Sequence, residues 1–263
     1  MKKLYFGAAV LFLGLTSCSS SDDSTNNDST NIYFPLSLTS SWNYDVKLDG
    51  NAIGNDDLFV SGESTMDGKI YQQLKTENIP NGFYTNALNN NFVRKEGDKI
   101  LLSGTTGLEL ADLLPINIEV SDFVLFKENA SPNAQLDVIS GTMQQTLQDM
   151  PMDITYSLKS TFKESLASFT VPGKETYSDV KVIKVVANLK VTTDYMIPVI
   201  NTLTTITILN PQDVIVSTQY YAEGVGMIYA KTDFNYQLND FSQFNIELPI
   251  PVQGASTIEE LMN

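Results

Sequence analysis

Residues 152–163 read MDITYSLKSTFK, and their alternation decides the fold. Met152, Ile154, Tyr156, Leu158 and Phe162 fall on one face, and Asp153, Thr155, Ser157, Lys159, Thr161 and Lys163 fall on the other. A period of two predicts a strand with one dry and one wet face, the pattern of an antiparallel sheet. The stretch WNYDVKLD (42–49) repeats it, with Trp42, Tyr44, Val46 and Leu48 opposed by Asn43, Asp45, Lys47 and Asp49. The stretch YSDVKVIKVVANLKVTTDY (177–195) is longer and changes phase. Val180 and Val182 share one register; Ile183, Val185, Ala187, Leu189 and Val191 share the other. A β-bulge near Val182–Ile183 would restore a single apolar face. Long bulged strands predict a strongly curved sheet.

Further strand patterns fall at 55–62, 69–77, 82–87, 91–96, 99–103, 119–127, 135–148, 166–172, 203–209, 213–222 and 226–238. Gly97-Asp98 reads as a tight turn, and Pro211-Gln212 as a turn between ITILN and DVIVSTQYY. Gly224-Val225-Gly226 reads as a turn or bulge. The Gly/Asn-rich run NGFYTNALNNN (81–91) is the best loop or weak boundary. Helix is sparse: a short turn at 107–114 ended by Pro115, and one at the C-terminus, where Ser256 and Glu259 have capping-box spacing. No repeat of fixed period is visible. The expected fold is mainly β: a single large, curved, mostly antiparallel sheet or open half-barrel with few short helices.

The chain has 263 residues, 31 acidic and 16 basic, with one arginine (Arg94), one cysteine (Cys18) and no histidine. A net charge of −15 repels phosphate backbones and argues against nucleic-acid binding. Ser-His-Asp and Cys-His catalysis and histidine-containing zinc sites are excluded by composition. No phosphate-binding glycine motif is complete. LDGNAIGNDD gathers Asp49, Asn51, Asn55, Asp56 and Asp57, but the spacing misses the EF-hand pattern and reads as a hairpin loop. No metal or cofactor is expected. Carboxylate chemistry needs only two acids at the right separation, and the sequence nominates no pair.

The first residues, MKKLYFGAAVLFLGLTSC, place two lysines before an apolar run too short to cross a bilayer. Leu15-Thr16-Ser17-Cys18 resembles a bacterial lipobox. The resemblance implies cleavage between Ser17 and Cys18 and lipidation of Cys18, whose long acyl chains would anchor the protein. The flank SSSDDSTNNDST (19–30) carries no apolar residue and reads as a disordered tether. Stretched, it spans about 40 Å. Its acidic Ser/Asp run also resembles the surface-export signal of Bacteroidota lipoproteins, which favours the cell surface over the periplasmic face. Residues 1–17 are thus a lipoprotein signal, 18–31 the lipidated cysteine and tether, and 32–263 one mainly β domain.

The opening YFPLSLTSSWNYDV and the late YYAEGVGMIYAKTDF resemble recurrent motifs of uncharacterised Bacteroidota outer-membrane lipoproteins. Several of these have an open curved sheet similar to the LolA/LolB-type lipoprotein carriers. Ser40-Ser41 stands where a Gly-Asn turn is common in that family. The resemblance implies an open concave face, and the function expected is non-catalytic binding or carriage of an apolar or glycan ligand. Candidate ligand contacts are Tyr220, Tyr221 and Trp42. Adjacent Tyr220 and Tyr221 must point to opposite faces, so one of them is expected to be at least half-exposed. The alternatives are a structural or adhesive surface protein and a carboxylate-pair hydrolase. A filled concave face would favour the structural reading. The membrane is the expected partner, through lipid; no nucleic acid is expected.

Overall fold

The computed structural model describes residues 33–110, 114–147, 150–197, 202–240 and 255–262. The signal segment, the tether, Ser17 and Cys18 lie outside the described residues. Twelve strands form one sheet: β1 (Ser41–Leu48), β2 (Asn51–Met66), β3 (Lys69–Thr76), β4 (Phe92–Glu96), β5 (Lys99–Leu110), β6 (Leu114–Lys127), β7 (Gln135–Leu147), β8 (Met150–Thr170), β9 (Thr176–Ile197), β10 (Thr202–Ala222), β11 (Gly226–Phe234) and β12 (Ala255–Leu261). Among the described residues one helix, α1 (Phe83–Leu88), interrupts them between β3 and β4. The spatial order is β6-β5-β4-β3-β2-β1-β12-β11-β10-β9-β8-β7, and every pairing is antiparallel.

The predicted mainly β fold is therefore present, but the sheet curls further than an open half-barrel. Its two edges, β6 and β7, approach each other and are stitched by side chains. The Val124 amide donates to Asp137 Oδ2 at 2.9 Å, and Ser160 Oγ donates to the Val124 carbonyl at 2.6 Å. Side chains thus satisfy backbone groups that an edge strand would leave open.

The alternation behaves as the sequence predicts. In β8, Met152, Ile154, Leu158 and Phe162 are buried in the concave core; in β1, Trp42, Tyr44 and Val46 are buried, while Leu48 at the hairpin end is exposed. Asp49-Gly50 and Asp67-Gly68 close two hairpins with positive φ at both residues, as two-residue turns of matching twist require. Gly97-Asp98 is the tight turn expected, with Glu96 facing Lys99.

Five local readings are corrected. The C-terminal segment is strand β12, not a helix: it inserts between β1 and β11, where Tyr44 faces Leu261 and Tyr229 faces Glu260. Two ladders outweigh a capping-box preference. Of the 107–114 turn, the described residues 107–110 and 114 are strand instead: β5 and β6 pair out to Leu110–Leu114. The 82–87 strand pattern lies in the loop read at 81–91 and forms α1 instead. Pro211 does not end a strand: β10 runs through it at a register shift between Leu209 and Gln212, where a proline costs no ladder bond. The phase change in β9 is not a bulge of that strand. Val180 packs in a second small apolar cluster on the outer face, while Ile183 packs in the concave core. The bulge lies in the partner strand, where Lys163 is the additional residue between Phe162 and Glu164.

Candidate functional site

The concave face is filled by aromatic rings from several elements. Tyr33 and Phe34 enter ahead of β1, Trp42 and Tyr44 stand on β1, and Phe126 and Tyr221 on β6 and β10. Tyr84 reaches in from α1. Ring centroids lie 5.7 Å apart for Tyr33–Phe126, 5.0 Å for Phe126–Tyr221 and 6.0 Å for Tyr44–Tyr84. Such pairs contribute about 0.5–1.5 kcal/mol each beyond their buried area. The polar tips are satisfied internally. Trp42 Nε1 donates to the Val225 carbonyl at 2.7 Å, Tyr44 to the Met227 carbonyl at 3.2 Å, and Tyr221 to Gln219 Oε1 at 2.8 Å. Gln219 continues the track to Ser217 Oγ at 3.2 Å, where Thr232 also bonds. Burial pushes the phenols of Tyr44, Tyr84 and Tyr221 well above the ordinary value.

Between α1 and the wall of β5, β6 and β8 a cavity of about 30 Å³ remains, bounded by Phe83, Leu88, Leu102, Phe123, Leu158 and Gln219. That is room for one or two water molecules. The open concave face implied by the likeness to LolA/LolB-type carriers is absent among the described residues, because α1 and Tyr33-Phe34 occupy it.

Two buried carboxylates hold α1 in place. Asp56 on β2 accepts from the amides of Asn81 (2.8 Å) and Gly82 (2.8 Å), from Asn81 Nδ2 and from the Thr85 hydroxyl. Glu259 on β12 accepts from the amides of Tyr84 (2.7 Å) and Thr85 (2.9 Å). The Gly82, Tyr84 and Thr85 amides are among those a helix start leaves unpaired, so both acids act as caps supplied by distant strands. Burial raises the Glu259 carboxyl to about 7, against the lowering effect of its hydrogen bonds. The two acids converge as a catalytic pair would, but they face backbone amides rather than an opening. Among the described residues, no group of three or more Cys, Asp or Glu side chains is arranged to hold a metal.

The outer face presents a different surface. Tyr220 stacks on Phe169 at 4.2 Å with rings 22° apart, and Tyr229 meets both, at 5.5 Å and 5.6 Å. All three are half-buried. They sit over Val180 and Ile228, the second apolar cluster.

The adjacent tyrosines therefore separate as the strand period demands: Tyr221 is fully buried in the concave core and Tyr220 is half-exposed outside. Of the three expected ligand contacts, Trp42 and Tyr221 are core residues with internal hydrogen bonds and Tyr220 is half-exposed. Phe169 and Tyr229, which complete its cluster, were not singled out in the sequence. Tyr229 shares the face of Tyr220 because the two are paired across the β10–β11 hairpin.

No protein-family model matches the sequence, and no curated protein matches it. Among solved structures, the chain is similar to a "putative lipoprotein" from Parabacteroides distasonis, with 14% identity over 88% of this chain and 98% of that one, at a TM-score of 0.36.

Proposed function

We propose that this protein is a lipid-anchored, non-catalytic binding module of the outer membrane, displayed at the cell surface, which meets a glycan on the outer face of its sheet. The lipobox-like Leu15-Thr16-Ser17-Cys18 and the polar tether supply the anchor and reach. The observation that carries the reading is the aromatic cluster on the outer face; on the concave side, the cavity beside α1 has only about 30 Å³. Work of recognition then falls to the outer surface. There Phe169, Tyr220 and Tyr229 offer a ring platform with polar tips, suited to the flat apolar side of a sugar ring.

The packed interior favours a structural or adhesive role, and one experiment separates the two. Detergent-solubilised full-length protein is screened against a panel of neutral and acidic saccharides, beside its Tyr220→Ala variant. Binding that is lost in the variant supports the glycan reading; saccharide-independent adhesion to cells or matrix supports the structural one. Native mass spectrometry showing a lipid held in the folded body would overturn the filled-interior argument. Membrane partition of the Cys18→Ala protein after a salt wash would remove the anchor from the proposal.

A further inference from the structure

We propose that a cleft on the outer face of β7 to β10 binds a phosphate or sulfate group carried on a small ligand. The inference rests on the outer-face reading above and names the chemistry of its ligand. The cleft has a volume of about 360 Å³, within the range of small-molecule sites. It is lined by Lys159, Lys163, Lys184, Thr161, Asn133 and Gln135.

The sheet register brings these residues together. Thr161 on β8 faces Lys184 on β9, and Lys159 faces Val186 one rung further on. Lys159 and Lys184 are therefore diagonal neighbours on one face, about 7–8 Å apart at the backbone. That separation lets two long side chains converge on a single oxyanion. Lys163 joins them from the β8 bulge. Its Nζ donates to Asn133 Oδ1 at 2.6 Å, and the Asn133 amide donates back to the Lys163 carbonyl at 3.2 Å. Asn133 itself is held at a φ of +61°, so the loop before β7 is shaped around the bulged lysine.

Three lysines without a carboxylate partner among the described residues share this hollow. Acidic residues outnumber basic ones 31 to 16, and Lys47, Lys69, Lys174, Lys181 and Lys231 each sit 2.6–2.9 Å from a carboxylate. Lys159 and Lys184 have no such partner among the described residues, and Lys163 is bonded to a neutral amide oxygen. The one acid in the lining, Asp213, is engaged by Asn188 Nδ2 at 2.9 Å. Glu164 follows the bulge and lies toward Tyr220. Three ammonium groups against the single carboxylate of Asp213 leave the hollow with a net positive charge, which favours an anion there. Lysine binds phosphate as a point charge, and Thr161, Asn133 and Gln135 add hydroxyl and amide groups for the remaining oxygens. Tyr220 stands one rung along the same face, since Thr218 faces Lys184 and Tyr220 faces Val182. A ligand with an oxyanion at one end and a ring at the other fits that spacing.

The test is calorimetric titration of detergent-solubilised full-length protein with inorganic phosphate, inorganic sulfate, glucose 6-phosphate and glucose, at low and high sodium chloride. The expected result is binding of the charged probes, weakened by salt, and a loss of about tenfold or more in affinity in Lys159→Gln/Lys184→Gln. Lys75→Gln, on the distant β3, should leave binding unchanged, and circular dichroism checks that each variant is folded. Binding of inorganic anions but not of the sugar ester keeps the oxyanion site and fails the glycan reading. Binding of glucose and glucose 6-phosphate alike, unaffected by the lysine changes, keeps the glycan reading and overturns this site. Absence of any binding, or equal binding of charged probes by the double variant, also overturns it.

Discussion

Glu259 and Thr85 stand 174 positions apart in sequence, yet the Glu259 carboxylate accepts the Thr85 amide at 2.9 Å and lies 3.0 Å from the Thr85 hydroxyl. That hydroxyl has one hydrogen, and it is also directed at Asp56. A proton on Glu259 lets the acid donate to Thr85 while Thr85 donates to Asp56, which satisfies all three groups. The last strand of the sheet and the first turn of α1 are thereby locked to each other.

The lock makes stability depend on pH. Burial raises the Glu259 carboxyl from 4.5 to about 7 in the folded state. Its contribution is complete below pH 4.5, where the acid is protonated in both states, and is lost as pH rises through about 7. Chemical denaturation should show the protein about 1–3 kcal/mol more stable at pH 5 than at pH 8. Glu259→Gln should flatten that dependence. It should also lower stability at pH 5, because the amide turns an N–H toward a backbone N–H. An unchanged pH slope in the variant would assign the effect elsewhere.

Asp122 should behave in the opposite sense. Its carboxylate receives Arg94 through two nitrogens at 2.8 Å, Tyr71 at 2.7 Å and Lys69 at 2.9 Å, and Arg94 first among these holds it well below the usual carboxylate range. The stabilisation is present above the ordinary value near 4 and is lost as pH falls below it. Asp122→Ala leaves the buried guanidinium of Arg94 without its main partner and should cost about 2–4 kcal/mol, measured by urea unfolding at pH 7. The variant should also show less loss of stability between pH 4 and pH 2 than the parent.

Gly226→Ala tests the β10–β11 turn. The residue has a φ of +109°, and an added Cβ would lie 2.7 Å from Trp42 Nε1, whose hydrogen bond to Val225 closes the turn over the core. Strain and displacement of the indole together should lower stability by about 2–4 kcal/mol, with a change in tryptophan fluorescence. Gly62→Ala, where nothing lies within 4 Å and φ is not positive, serves as the comparison and should cost far less.

Tyr220 and Tyr221 should diverge on truncation. Tyr221→Ala empties a fully buried site and strands Gln219, and should cost about 3–5 kcal/mol by thermal or urea unfolding. Tyr220→Ala removes one ring of an outer cluster and should cost about 1 kcal/mol. Equal costs would mean that the outer cluster is part of the structural core.

The alternation in MDITYSLKSTFK and WNYDVKLD fixes strand identity and the buried face, because a period of two is a local property of the pleat. The opposite orientations of Tyr220 and Tyr221 follow from the same rule. Composition and the residues up to Cys18 carry the expectation of a lipid anchor and the absence of histidine chemistry. Local sequence fails where a partner from far along the chain decides. STIEELM has the spacing of a capped helix, but it lies between Tyr44 and Tyr229 and becomes a strand with Thr257 and Glu259 turned inward. Residues 82–87 read as a strand, but Asp56 captures the Gly82 amide and Glu259 those of Tyr84 and Thr85, and the segment forms a helix. The convergence of Lys159, Lys163 and Lys184 depends on one bulge and on the β8–β9 register. Each of these is set by pairing across tens to hundreds of residues, where burial and hydrogen bonding outweigh local preferences of about 1 kcal/mol or less.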